Sequence, residues 1–242
     1  MSLNKYSGVI NPSLICLDHL GIRDDVAFLK KIGIEKLHID IMDNNFVPRF
    51  GIYPEIVRDI NSEFDFEIDL HFMVENVERS LDEWLKYVKP NSVSFHYKYN
   101  KDNITLLSRA IKNVGADVRI AYDTSIGDKV FIESLVEHAP KGVMLLGIIP
   151  GVLEQQHRPD IVVNKLKALK KSNVSIEDYT IQVDGGVNFE TISAFVKEGV
   201  NDLVCGSSTL FKDAVLDKSQ RYSSIEMNFK RICKLVESAQ NV

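Results

Sequence analysis

The chain has 242 residues, 45% of them apolar and 26% charged, which is enough to bury a large core and argues against a disordered chain. Its formal net charge of -5 argues against non-specific nucleic-acid binding, though not against a local basic pocket for a small anion. There is no run of about 18 apolar residues, and the start, MSLNKYSG, lacks the apolar core of a secretory signal, so no membrane span is expected and the protein is expected in the cytoplasm.

Taken in chain order, short β-branched or apolar runs recur roughly every 25 to 35 residues. They are SGVINPSL, KLHIDIMD, FEIDLHFMV, SVSFHY, DVRIAYD, GVMLLGII, YTIQVDGG and DLVCGSS. Amphipathic stretches lie between them. In VERSLDEWLKYV, helical spacing puts Val77, Leu81, Trp84, Leu85 and Val88 on one side. Several of these stretches end in glycine, at Gly33, Gly115 and Gly199, as a helix C-terminal cap does. Strands alternating with helices imply parallel strands joined by crossovers. Eight such units in this length predict an α/β fold, a (β/α)8 TIM barrel, with a doubly wound open sheet as the competitor. No linker or charge block divides the chain, so one barrel domain over residues 1–242 is expected. Cys16, Cys205 and Cys233 are widely spaced without a CxxC pair, which suits reduced thiols filling apolar space.

A barrel demands its chemistry at the C-terminal ends of the strands. Side-chain alternation puts His38, Asp40 and Met42 on one face of the second strand, and Asp69, His71 and Met73 on one face of the third. The seventh ends at Asp184-Gly185-Gly186. With those faces turned inward, His38, Asp40, His71 and Asp184 converge at the barrel mouth, a donor set suited to a divalent metal. Asp69 is read as a deeper, supporting carboxylate. His96 is read as a wall or edge residue, and His19, His138 and His157 as surface residues. VDGG after strand seven and CGSS after strand eight bring Gly185, Gly186, Gly206 and Ser207 to loops that meet helix starts, a setting suited to a phosphate.

These pieces together resemble the ribulose-phosphate 3-epimerase family, from INPSL to VCGSSTLF, through NPSL, HIDIMDNNFVP, DLHFMVEN, SFH and VDGGVNFETI in the family's order and spacing. The resemblance implies that His38, Asp40, His71 and Asp184 bind one divalent metal (zinc, iron(II), manganese or cobalt). It also implies that Asp40 and Asp184 are the catalytic acid/base pair and that Ser13 contacts substrate. A phosphorylated ketose, by default D-ribulose 5-phosphate converted to D-xylulose 5-phosphate, would be the substrate, and a homodimer or higher homo-oligomer the assembly. Inversion beside a ketone independently calls for a carboxylate on each face of an enediolate and a cation to stabilise its charge. Met42 and Met73 are read as an apolar wall or as core packing.

The chain departs from the family's usual pattern at several points. In IIPGVLEQQHRPD, Pro150, Gly151 and Gln155 match, but Leu153 and Glu154 stand where glycines are usual. Asn44 replaces a glycine, Arg49 an asparagine, AYDTS the usual fifth-strand ending, and Tyr97 the acidic residue after His96. The altered loop, with Arg158 as a compensating cation, predicts weaker use of D-ribulose 5-phosphate than of a related ketose phosphate. Arg49, Lys98 and Arg158 are candidate new contacts. The rival readings are a hexulose 6-phosphate epimerase, a phosphate-binding-barrel lyase and a non-catalytic sugar-phosphate-binding paralogue. IDLHFMV lacks the lysine expected of the lyases.

Overall fold

The computed structural model of the chain describes residues 6, 8–150, 156–214 and 220–241. Each of the eight expected runs forms a strand: β1 (Ile10–Pro12), β2 (Lys36–Met42), β3 (Glu67–Met73), β4 (Ser92–His96), β5 (Asp117–Tyr122), β6 (Gly142–Leu146), β7 (Thr180–Asp184) and β8 (Asp202–Cys205). All the pairings are parallel, in the order β1-β8-β7-β6-β5-β4-β3-β2. A parallel bridge between Ser13 and His38 closes the seam between β1 and β2. Sequential neighbours all the way round make a (β/α)8 barrel and rule out the doubly wound sheet.

The helices are α1 (Ile22–Lys31), α2 (Pro54–Phe64), α3 (Val77–Trp84), α4 (Tyr97–Asn100), α5 (Ile104–Asn113), α6 (Asp128–His138), α7 (Pro159–Lys171), α8 (Ile192–Lys197) and α9 (Arg221–Gln240). Between barrel and helices, Ile39, Leu70, Val93, Phe95, Ile120, Val143, Ile181 and Val183 are completely buried. Each contributes roughly 1.5–3 kcal/mol by leaving water. The stripe expected over Val77–Val88 is helical only to Trp84. Beyond it, turn bonds such as Val88 N–H to Trp84 C=O (2.9 Å) carry the chain to Pro90, which cannot extend a helix. Gly33, Gly115 and Gly199 have φ of 95°, 82° and 100°, the left-handed cap conformation that glycine adopts without strain. Among the described residues no helix is long and apolar enough to cross a membrane.

Candidate metal centre and active site

Strand alternation decides which side chains meet. In β2 and β3, Ile39, Ile41, Leu70 and Phe72 pack outward in the apolar core, leaving His38, Asp40, Asp69 and His71 inside. The register sets His38 opposite Asp69 and Asp40 opposite His71. Asp184 joins them from the end of β7. Ligand atoms of His38, Asp40, His71 and Asp184 all lie within 4.8 Å of one another. His38 Nε2 is 3.3 Å from Asp40 Oδ1, His71 Nδ1 is 3.3 Å from the same oxygen, and Asp184 Oδ2 is 3.6 Å from His71 Nδ1. Neighbouring donors around a tetrahedral ion with bonds of about 2.0–2.2 Å would lie roughly 3.3–3.6 Å apart. The residues therefore fit a divalent cation. Moreover His38 Nε2 is buried without a hydrogen-bond partner, as a nitrogen reserved for a cation would be.

Other contacts aim these donors. His38 turns its second nitrogen, Nδ1, to Asp69 Oδ2 at 2.8 Å, which leaves Nε2 facing the cluster. Asp69 also accepts from Asn11 Nδ2 (2.9 Å), Ser92 Oγ (2.6 Å), Arg119 Nη1 (2.6 Å) and Gln182 Nε2 (2.7 Å). Arg119 reaches on to Asp202 (3.1 Å), which Lys36 also meets at 3.1 Å. This buried layer lies beneath the ligands and supports the reading of Asp69. The sequence reading missed Asn11, Ser92, Arg119, Gln182 and Asp202, although each is a polar residue within a strand run. Ser13 Oγ donates to Asp40 Oδ2 at 2.9 Å. His71 Nε2 meets His96 Nε2, so His96 is a partner of the clustered His71 rather than an edge residue.

Charge is unevenly distributed in the cluster. Burial alone would raise the Asp40 carboxyl, but the facing His38 and His71 imidazoles hold it well below the usual carboxylate range. Burial and then repulsion from Asp40 push the Asp184 carboxyl up. Burial opposes charge on His38, yet Asp40 and Asp69 together raise it well above the ordinary histidine range, so a cation bound there would compete with a proton. Burial and the His71 charge push His96 well down, toward the neutral imidazole.

Over the cluster lies a cavity of about 210 Å³ lined by Ile15, Asp40, Met42, Val47, Pro48, Arg49, Met73, Leu146, Ile148, Pro150 and Asp184. Both methionines thus face the site. Residues 43–50 form a short arm laid over the mouth. Asn44 takes a left-handed φ of 63°, which asparagine tolerates, so replacing the usual glycine there costs little. Gly51 ends the arm so close to β2 that a Cβ would lie 2.6 Å from Asp40 C=O.

At the other side of the mouth, Gly185 and Gly186 have φ of 75° and 79°. A Cβ on Gly206 would touch Cys16 Sγ at 3.4 Å, and one on Gly186 would lie 3.5 Å from His157 Nδ1. His157 is exposed as expected, yet it sits beside the glycine pair. Ser207 lines an adjoining cleft with Asn188, Phe189, Lys212 and Arg231. Gly151, Leu153, Glu154 and Gln155 lie outside the described residues. Arg158 is held by Asp160 (Nε–Oδ1 2.9 Å, Nη2–Oδ2 2.7 Å) and Lys98 by Ser125 Oγ (3.4 Å). Of the three cations considered above, Arg49 is the one that lines the cavity.

Comparison with known proteins agrees with this architecture. The model of the "Ribulose-phosphate 3 epimerase family" matches residues 9–211. A protein of Oryza sativa subsp. japonica named "Ribulose-phosphate 3-epimerase, cytoplasmic isoform" is 28% identical over 201 residues, covering 82% of this chain and 86% of its own. A "Ribulose-phosphate 3-epimerase" of Methanocaldococcus jannaschii is 28% identical over 207 residues, covering 85% and 86%. The crystal structure of 3-hexulose-6-phosphate synthase from Salmonella typhimurium superposes with a TM-score of 0.68 at 14% identity over 96% of this chain and 99% of the other, a likeness of fold. The family match spans the strands that carry all four clustered residues, and the chain belongs to the ribulose-phosphate 3-epimerase family.

Proposed function

We propose that this chain is a metal-dependent isomerase that inverts C3 of a ketose phosphate, by default converting D-ribulose 5-phosphate to D-xylulose 5-phosphate. The observation that carries this reading is the convergence of His38, Asp40, His71 and Asp184 within 4.8 Å at the barrel mouth, in a chain that belongs to an epimerase family. His38, Asp40, His71 and Asp184 would hold the divalent cation. When bound, such a cation supplies Lewis-acid stabilisation for negative charge developing on the substrate oxygens.

The chain's own residues do the rest. Asp40 and Asp184 reach the cavity from β2 and β7, so a substrate between them has a carboxylate on each side of C3. One removes the C3 proton, and the other returns a proton to the opposite face. The unequal environments of the pair, with Asp40 pushed down and Asp184 pushed up, suit opposite starting protonation states. Ser13 orients the Asp40 carboxylate through its 2.9 Å hydrogen bond. Met42, Met73, Leu146 and Ile148 exclude water from the planar intermediate. Gly185, Gly186, Gly206 and Ser207, with Gly151, would hold the phosphate.

The family resemblance extends this reading to one barrel domain over residues 1–242, a cytoplasmic location and a homodimer or higher homo-oligomer. A hexulose 6-phosphate is the alternative substrate. The test is NMR of ketose phosphates in deuterated water. Deuterium should enter C3 with inversion, and a full panel without exchange at C3 would reject the reading.

A further inference from the structure

One guanidinium lines the cavity over the carboxylate pair, and among the described residues its side chain has no hydrogen-bond or ion-pair partner. Its backbone, by contrast, is tightly built. Asp43 Oδ1 accepts from the N–H groups of Asn45 and Phe46 at 2.9 Å each, and Asp43 Oδ2 accepts from Glu75 N–H at 2.8 Å. Asn44 N–H donates to Arg49 C=O at 3.0 Å, Arg49 N–H donates to Val47 C=O at 2.7 Å, and Gly51 N–H donates to Met42 C=O at 3.1 Å. An antiparallel bridge joins Asp43 and Phe50. The arm therefore holds Arg49 at a fixed place on the rim while leaving its head free for a ligand.

Topology says which end of the ligand it meets. The glycine cradle follows β7 and β8, whereas Arg49 follows β2, and β1 lies between β2 and β8 around the barrel. A linear ketose phosphate carries its phosphate at one end and a hydroxymethyl ketone at the other. With the phosphate at the cradle and C3 between Asp40 and Asp184, its terminal hydroxymethyl group points toward the β2 arm. We propose that Arg49 is a specificity-determining residue that donates hydrogen bonds to the oxygen on the terminal carbon farthest from the phosphate. This rests on the ketose phosphate reading and adds the contact that tells a sugar carrying that terminal hydroxyl from one lacking it. Arg49 is exposed on the rim, so the discrimination comes from the charge-assisted hydrogen bond gained by a ligand that carries that oxygen.

The test is a binding cycle that needs no turnover. Dissociation constants of D-xylulose 5-phosphate, its 1-deoxy analogue and inorganic phosphate are measured by calorimetry on the wild-type protein and on Arg49→Met, each with its metal content determined. Arg49→Met should weaken D-xylulose 5-phosphate by about tenfold or more, and should change the 1-deoxy sugar and inorganic phosphate by less than about twofold. Equal losses on both sugars, a loss on inorganic phosphate, no loss at all, or a wild-type protein that binds neither sugar would each overturn the proposal. The expected pattern in a protein that leaves C3 unexchanged would instead reject the epimerase and keep the contact.

Discussion

His71 Nε2 lies 2.9 Å from His96 Nε2, so one ring donates and the other accepts. His71 turns Nδ1 toward Asp40 and Asp184. If that nitrogen offers its lone pair to a cation, Nε2 carries the proton and His96 accepts it. Neutral His96 meets that need. His96→Phe removes the acceptor and strands a buried N–H. Metal affinity should fall roughly 10–100-fold in a chelator competition, and His96→Gln, which keeps an acceptor, should lose less. Identical affinities in all three proteins would show that the pair does not orient the ligand.

Replacing both His38 and His71 with alanine removes two of the four clustered donors. Elemental analysis should find about one divalent ion per chain in the wild type, the stoichiometry of a single four-donor site, and a large drop in the double variant. Full occupancy in that variant would disprove the assignment.

Asp40→Asn and Asp184→Asn each keep the shape of the side chain and abolish its proton transfer. Turnover should fall by a factor of about 100 to 10,000 in either variant, with an unchanged far-UV circular dichroism spectrum. If one of them retained wild-type turnover, two-carboxylate inversion would be excluded.

Arg119 lies between the buried carboxylates of Asp69 and Asp202. Arg119→Met takes the guanidinium from Asp69 and leaves Asp202 with Lys36 alone, and breaking a buried pair from one side typically costs about 3–5 kcal/mol. Urea unfolding should register a loss of that size, and a loss below about 1 kcal/mol, the worth of an exposed pair, would show that solvent reaches the layer.

The barrel and its ligands were legible because both follow from alternation within strands. HIDIM and IDLHFM put charged or imidazole groups on one parity and bulky apolar groups on the other, and that parity survives any shift in element boundaries. Arg119, Gln182 and Asp202 obey the same parity, but nothing in their own runs marks them as partners of Asp69 or of one another. Their mutual contacts depend on strands distant in sequence, so no local spacing announces them. The role of His96 needed the stagger of β3 against β4. Arg49 was visible only as an exchanged residue, because its place at the rim depends on the arm folding back on β2.

Burial pushes the Cys205 thiol up to about 12 and the Cys233 thiol up to about 11, above the ordinary thiol value of about 8.5. The folded state therefore holds these protons more tightly than the unfolded chain. Their contribution to stability is complete below about pH 8.5 and is lost as pH rises toward 11–12. Urea midpoints should fall across that alkaline range, and iodoacetamide at pH 8 should leave both thiols unlabelled until the protein unfolds, as read by intact mass. Rapid native labelling of Cys205 would contradict its burial.

The contact of Gly51 with the backbone of β2 divides the molecule's tasks. Because position 51 has no room for a carbon, the arm is moored to the strand that carries Asp40 rather than to any side chain of the cluster. The exposed Arg49 can then be exchanged, provided the mooring glycine and Asp43 stay, without moving a clustered donor, whereas Phe46 packs on His96 at 4.9 Å. In the proposed reaction, exchanging Arg49 would change a contact to the sugar's terminal hydroxyl while leaving in place the two carboxylates that carry the proton.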